Sequence, residues 1–280
     1  MKKIPVLLAG LPGNMACLVA ARIAADERYE LLPYAFTGDG LGRDDFIAPT
    51  DKGNIAHFKK LIEPGEREKY LSEIKSKWTT PIVIDFTQPS AANENCEFYC
   101  MNKLPFVMGT TGGDRNLLAA TVKRSLTAAV IAPNMSIPIV MMMDMIEYAA
   151  KTYPDALTNW DARVIESHQA AKKDKSGTAI AIGKLFCKLG VNFTEDNIRA
   201  VRDPFEQGMM GVPPQAFGGH GFHRYYLGSP DGNVNIGFEH NVSGRETYVD
   251  GTLKAVDFLA KKIAEGANGK CYSMIDVMRG

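Results

Sequence analysis

The chain is 280 residues long, 45% hydrophobic and 23% charged, with 32 basic residues against 32 acidic ones. That length fits two domains or one large α/β domain, and zero net charge gives no global electrostatic case for nucleic acid or an anionic membrane as partner. No apolar run reaches membrane-spanning length, and Cys17, Cys96, Cys100, Cys187 and Cys271 lack metal-site spacing, which fits reduced thiols in the cytosol.

The start, Met1-Lys2-Lys3-Ile4-Pro5, runs straight into an apolar stretch and has neither a signal-peptide nor a transit-peptide pattern. It predicts a mature cytoplasmic chain, or a plastid one if a plant precursor was processed. Pro5 to Ala9 reads as a buried strand, followed by Gly10-Leu11-Pro12-Gly13-Asn14-Met15-Ala16 and helical spacing through Leu18, Val19 and Ile23. Strand, glycine turn and helix are the context of a dinucleotide fingerprint: Gly10 for the tight turn, Gly13 for approach to a pyrophosphate, Ala16 for helix-on-strand packing. The second strand, Tyr29 to Phe36, ends at Phe36-Thr37-Gly38, where NAD-specific sites usually place an acid for the ribose. Without one, NADPH is expected as the cofactor, NADH remaining possible, with Arg43 within reach of a 2′-phosphate or simply on the surface.

Residues 39 to 64 look irregular, and Gly65 to Lys77 reads as a charged helix. Three strands follow, alternating with helices from about Ser90 to Met101 and from Asp114 to Ser125. They are Pro81 to Thr87, Leu104 to Met108 and Ala128 to Ala132. This alternation predicts an α/β fold with a doubly wound parallel sheet, whose ligands bind at the carboxyl ends of the strands. Phe86-Thr87, Gly109-Thr110-Thr111-Gly112 and Pro133-Asn134-Met135-Ser136 fall at those ends and join Thr37 as expected cofactor contacts. Met141, Met142, Met143 and Met145 continue a helix, Ile137 to Lys151, and suit a flexible core or interdomain face better than a copper site.

Ala162 to Ile165 looks like a strand leading to His168 and the loop lysines Lys172, Lys173 and Lys175, before Ser176-Gly177-Thr178 opens a helix. A proton donor, cations and a helix N-terminus within about a dozen residues suit a small acid that needs a proton; the plainer alternative is a Ser cap beside solvated lysines. A polar connection leads to a glycine-rich stretch, Ala216 to Tyr225, read as a loop in which a metal role for His220 and His223 is disfavoured. Two strands, Arg224 to Ser229 and Val234 to His240, join through Pro230-Asp231-Gly232-Asn233. A helix, Arg245 to Glu265, and a tail end the chain.

The glycine turn, Asp85-Phe86-Thr87-Gln88-Pro89, Gly109 to Gly112, Ala132 to Ser136, Glu166-Ser167-His168 through Lys172 to Ser176-Gly177-Thr178, and His240 to Arg245 occur in the order of one family. The chain resembles 4-hydroxy-tetrahydrodipicolinate (dihydrodipicolinate) reductases over nearly its whole length. Gln169 after His168 departs from the adjacent histidines of the bacterial form, and the Lys172-to-Ser176 spacing is one residue shorter, which resembles the plant-type branch. The resemblance implies a Rossmann-type domain, residues 1–136 and 245–280, and a smaller α+β mixed-sheet domain, 137–244, for substrate binding and oligomerisation. It also implies NAD(P)H-dependent reduction of a cyclic dicarboxylate in lysine and diaminopimelate synthesis, by a homo-oligomer without a metal. His168 and Lys172 (or Lys173) would be catalytic, and Gln169, Ser176, Gly177 and Thr178 would bind substrate. The cofactor would lie on Gly10, Leu11, Pro12, Gly13, Asn14, Met15, Thr37, Phe86, Thr87, Gly109, Thr110, Thr111, Pro133, Asn134 and Met135. A related two-domain aspartate-pathway dehydrogenase, or a non-catalytic NADPH sensor, is the alternative; the constellation from His168 to Thr178 argues against both.

Overall fold

A computed structural model describes residues 3–49 and 55–280. Within them the chain divides into two compact units, Met1–Met135 with Tyr248–Gly280, and Ser136–Thr247. The expected boundaries were 136/137 and 244/245.

The first unit is built on an eight-stranded sheet. In chain order its strands are β1 (Ile4–Ala9), β2 (Tyr29–Phe36), β3 (Arg43–Ala48), β4 (Ala56–Ile62), β5 (Ile82–Asp85), β6 (Phe106–Met108) and β7 (Ala128–Ile131), with β12 (Lys270–Tyr272) added from the far end of the chain. The spatial order is β12-β7-β6-β5-β1-β2-β4-β3. Every pairing is parallel except β3 with β4. Helices α1 (Asn14–Ala24), α2 (Arg67–Lys77), α3 (Ala92–Met101) and α4 (Arg115–Lys123) connect the strands. In α1 the buried residues Ala16, Cys17, Val19, Ala20 and Ile23 recur at three- and four-residue intervals, forming one stripe against the sheet. Leu7, Phe36, Val83, Tyr99 and Phe106 lie in one fully enclosed cluster. Burial of each such side chain contributes roughly 1.5–3 kcal/mol, which holds the strand ends in register.

The second unit contains α5 (Ile137–Thr152), β8 (Asp161–His168), α6 (Gly177–Cys187), β9 (Ile198–Val201), α7 (Pro204–Met209), β10 (His220–Gly228) and β11 (Asn235–Ser243). Its sheet runs β11-β10-β8-β9, antiparallel except where β8 pairs with β9. Helices α5 and α6 cover one face through Ile146, Ala150, Ile182 and Phe186, which meet Val164, Tyr225 and Leu227. Met142 and Met143 pack on this core, whereas Met141 and Met145 are exposed. Helix α8 (Glu246–Ala264) and α9 (Met274–Arg279) complete the chain.

Four sequence expectations are corrected. The stretch from 39 to 64 is not irregular, because β3 and β4 form an antiparallel pair there; its residues 50–54 lie outside the described residues. Strand β3 is a largely exposed edge strand that begins Arg-Asp-Asp, so it lacks the apolar alternation by which strands are recognised. The polar connection after α6 contains β9 and α7, and the tail contains β12 and α9. His220 to His223, expected in a loop, lie within β10, because β8 and β11 bond to that strand on either side and extend it through Gly221, while Gly218 and Gly219 stay in the turn before it.

Candidate active site

In the first unit the expected cofactor residues gather at the carboxyl ends of β1, β2, β5, β6 and β7. Backbone bonds tie these ends together: Gly10 N–H donates to Phe36 O (2.9 Å), Phe86 N–H to Ala9 O (3.0 Å), Gly109 N–H to Asp85 O (3.0 Å) and Ala132 N–H to Met108 O (3.0 Å). Gly10 has φ +112°, and a Cβ there would stand 2.3 Å from Phe86 O, so the turn requires glycine. A Cβ on Gly13 would stand 2.7 Å from Gly10 O. Helix α1 follows Gly13 as its N-cap, with no side-chain capping bond and no acidic residue in its first turn. A backbone turn cleared of side chains at an uncapped helix start fits a pyrophosphate.

The threonines are a different matter. Thr37 donates its hydroxyl to Leu11 O, and Thr87 and Thr110 donate theirs to Asp85 Oδ1 (2.8 and 2.6 Å). Their side chains therefore hold the loops. Asp85, which sequence reasoning assigned no role, is fully buried and also receives Tyr99 Oη–H (2.7 Å) and Asn95 Nδ2–H (3.0 Å). Burial, with the carboxylate beside it, pushes the Tyr99 phenol well above its ordinary range. Pro133 is exposed, Thr111 is exposed, and Asn134 and Met135 are buried after β7.

The second unit brings its predicted residues to the end of β8. His168 is the last residue of that strand, and its Nδ1–H donates to Glu166 Oε2 at 2.5 Å. Glu166 is fully buried, and Arg202, just beyond β9, clamps it with Nη2 to Oε1 at 2.8 Å and Nη1 to Oε2 at 3.1 Å. Burial would raise the Glu166 pKa, but the hydrogen bonds and charges of His168 and Arg202 outweigh it and hold the carboxyl below its usual value. Gln207 on α7 donates to His168 O (2.8 Å). The imidazole is thus fixed at Nδ1, which leaves Nε2 as the nitrogen able to exchange a proton.

Arg202 also holds the lysine loop, donating to Lys172 O (2.8 Å) and Asp174 O (3.2 Å). Lys172 is half-buried and Lys173 exposed, and neither ammonium has an ion pair among the described residues. Lys175 turns away, donating to Glu195 O. Lys172 N–H donates to Gln169 O (2.9 Å), which closes the turn after His168. Ser176 caps α6, its Oγ accepting Ala179 N–H (3.4 Å), while Gly177 is exposed with open space about its Cα. Acidic residues are absent from the first turn of α6, so its N-terminus suits an anion.

Glu166 lay in the motif without a role, and Arg202 and Gln207 were missed altogether. An acidic residue two before the histidine in a strand was a usable signal, since it returns to the same face; the partners from β9 and α7 had none. His220 and His223 each bond within the protein. His220 Nδ1–H donates to Ala216 O (3.1 Å) while Nε2 accepts the Ser167 hydroxyl (2.8 Å), and His223 Nε2 meets Ser176 Oγ (2.8 Å).

A dinucleotide fold in one unit and an oriented imidazole with an anion-binding helix start in the other define an NAD(P)H-dependent oxidoreductase. Two family models match the chain: "Dihydrodipicolinate reductase, N-terminus" over residues 4–135 and "Dihydrodipicolinate reductase, C-terminus" over 138–278. A probable 4-hydroxy-tetrahydrodipicolinate reductase 1, chloroplastic, from Oryza sativa subsp. japonica is 43% identical over 277 residues, covering 98% of this chain and 78% of that protein. The Arabidopsis thaliana 4-hydroxy-tetrahydrodipicolinate reductase 2, chloroplastic, is 45% identical over 83% of this chain and 70% of its own length. The solved structure of dipicolinate-bound dihydrodipicolinate reductase from Paenisporosarcina sp. TG-14 shares the fold, with a TM-score of 0.62 at 19% identity over 97% of this chain and 98% of that one. The chain belongs to the dihydrodipicolinate reductase family.

Proposed function

We infer that this protein is a 4-hydroxy-tetrahydrodipicolinate reductase of lysine biosynthesis, reducing its cyclic dicarboxylate substrate with NAD(P)H. The observation that carries the residue-level reading is the Glu166–His168 pair, which orients one imidazole beside an anion-binding helix start.

When bound, NAD(P)H supplies the hydride. His168 holds a proton at Nε2 and delivers it to the carbon or nitrogen where electron density collects, while Glu166 fixes the ring through Nδ1. Lys172 supplies positive charge to the developing anion, an electrostatic effect worth about 3–4 kcal/mol where a single such donor has been removed. Its backbone is pinned by Arg202, which favours it over exposed Lys173. The Ser176 hydroxyl and the backbone N–H groups of Gly177 and Thr178 hold a carboxylate, and Gln169 lines the same turn.

The Gly10–Met15 turn would hold the pyrophosphate, flanked by Thr37, Phe86, Thr87, Gly109 to Thr111 and Pro133 to Met135. NADPH is the cofactor we favour. No carboxylate caps β2, and the buried guanidinium of Arg67 lies over the Phe36 ring at 5.1 Å with Nη2 3.5 Å from Thr37 O, placing positive charge behind the strand tip. We also propose that the protein acts as a homo-oligomer, which light scattering measures. Oxidation of NADPH with enzymatically generated substrate, followed at the nicotinamide band, tests the activity. No oxidation above the substrate-free rate would overturn it.

A further inference from the structure

His223 has no part in the reaction as described, yet it occupies a costly position. It lies on β10 opposite Glu166, next but one to Gly221, which faces His168 across the ladder. Its ring meets the His168 ring edge-on, centroids 5.1 Å apart, and stacks on the His240 ring at 4.4 Å. The space is reserved for imidazoles: a Cβ on Gly221 would stand 3.2 Å from His168 Nε2 and 3.8 Å from His223 Cε1. His223 is only 3% exposed, and its Nδ1 is buried without any hydrogen-bond partner. A stranded buried nitrogen forfeits its bonds to water without replacing them, which is destabilising. A phenyl ring would fill the same slot against Tyr225 and His240 without that cost, so packing alone does not account for a histidine here.

The tautomer follows from the bonds. Were Nδ1 to carry the hydrogen, a buried N–H would be orphaned, the rarer and costlier defect. With the hydrogen on Nε2, His223 donates to Ser176 Oγ at 2.8 Å, and only an acceptor goes unmet. Ser176 Oγ then accepts from both His223 and Ala179 N–H, which fills its two lone pairs. Its own hydrogen is left to donate elsewhere. Burial first, and then the neighbouring imidazoles, hold His223 well below the ordinary imidazole pKa, so it stays neutral and keeps its single hydrogen.

We propose that His223 is a positioning residue that donates Nε2–H to Ser176 Oγ, so that the Ser176 hydrogen points at a substrate carboxylate, and that it packs the His168 ring against Gly221. One buried imidazole would thereby couple the carboxylate cradle on α6 to the proton donor on β8. This rests on the reading of His168 and the α6 start given above.

The test uses two polar replacements of different reach. A Gln amide nitrogen falls near the position of Nε2 and an Asn one near Nδ1, so His223→Gln keeps the bond to Ser176 and His223→Asn loses it. Losing one hydrogen bond to a charged group corresponds to roughly a 10- to 100-fold effect. The Asn variant is expected to raise KM for the cyclic substrate, and the inhibition constant of pyridine-2,6-dicarboxylate, by that factor. Binding of NADPH, titrated by its fluorescence, stays unchanged, and His223→Gln restores most of the loss. Ser176→Ala should show the same loss, and adding His223→Asn to it should cause little more. Should the Asn variant not fold, His223→Phe replaces it in the cycle. Equal inhibition constants in the Asn, Phe and wild-type proteins, or fully additive effects with Ser176→Ala, would overturn the proposal. A His168→Ala arm keeps the two readings apart: retained turnover there refutes the general acid, whereas lost turnover with an unaffected His223→Asn refutes only the positioning role.

Discussion

Removing Arg202 exposes how the site is held. Glu166 is 0% exposed and its carboxylate has two strong partners, His168 and the Arg202 clamp, whose own side chain is 19% exposed. In Arg202→Met the stem volume is kept, but a buried carboxylate loses both guanidinium bonds. Breaking a buried pair from one side typically costs ~3–5 kcal/mol, and the loop from Lys172 to Asp174 loses its two backbone anchors as well. The penalty is one of charge, and its sign with pH follows. The Glu166 pKa is held down in the native protein, so its carboxylate adds stability above the unfolded value of about 4.3 and loses it as pH falls through the folded value. Without Arg202 the folded value rises, the carboxylate protonates sooner on acidification, and the gap between variant and wild type narrows. Urea unfolding from pH 8 down to 4.5, followed through Trp160, reads this directly. Trp160 packs on the core of the second unit, and a Trp78→Phe background silences the other of the two tryptophans. Arg202→Lys should lose part of the stability, since an ammonium cannot form the paired contact. Glu166→Gln/Arg202→Met should recover stability without recovering turnover. A gap below about 1 kcal/mol, the median range for exposed pairs, that is also equal at both ends of the pH range would refute the account.

Replacing His168 by Ala should lower kcat by roughly 10²–10⁴-fold, the range for a general acid, with NADPH binding unaltered; near-normal turnover would remove the assignment. Steady-state comparison of cofactors should give NADPH a kcat/KM at least equal to that of NADH, and a strong NADH preference would mean that an acid such as Asp39 serves the ribose. Gly10→Ala should abolish cofactor binding in a fluorescence titration and lower the melting temperature, because the new Cβ would stand 2.3 Å from Phe86 O at a φ of +112°; unimpaired binding would show that the turn is not the cradle.

The parts of this protein that depend on neighbours in the chain were legible without a structure. Gly10 and Gly13 between a strand and a helix, the apolar strands that end at Phe86, Gly109 and Asn134, and Ser176 before α6 announce themselves within a few residues, because turns, caps and buried strands are local arrangements. The parallel α/β sheet, the family and His168 beside a helix start all followed. Tertiary structure alone decided what lies behind those residues. Arg202 reaches Glu166 from 36 residues away and His223 reaches Ser176 from 47, and no periodicity records such pairings. His220 to His223, which read as a loop, became the first part of β10, since two flanking strands supply ladder bonds that outweigh the weak local propensity of Gly221. The threonines at the strand ends, expected as cofactor contacts, turned their hydroxyls inward to Leu11 O and Asp85, because a buried carboxylate and a buried carbonyl each require donors. Sequence singled out His168; only the packing of β8, β9 and β10 determined which groups hold it still.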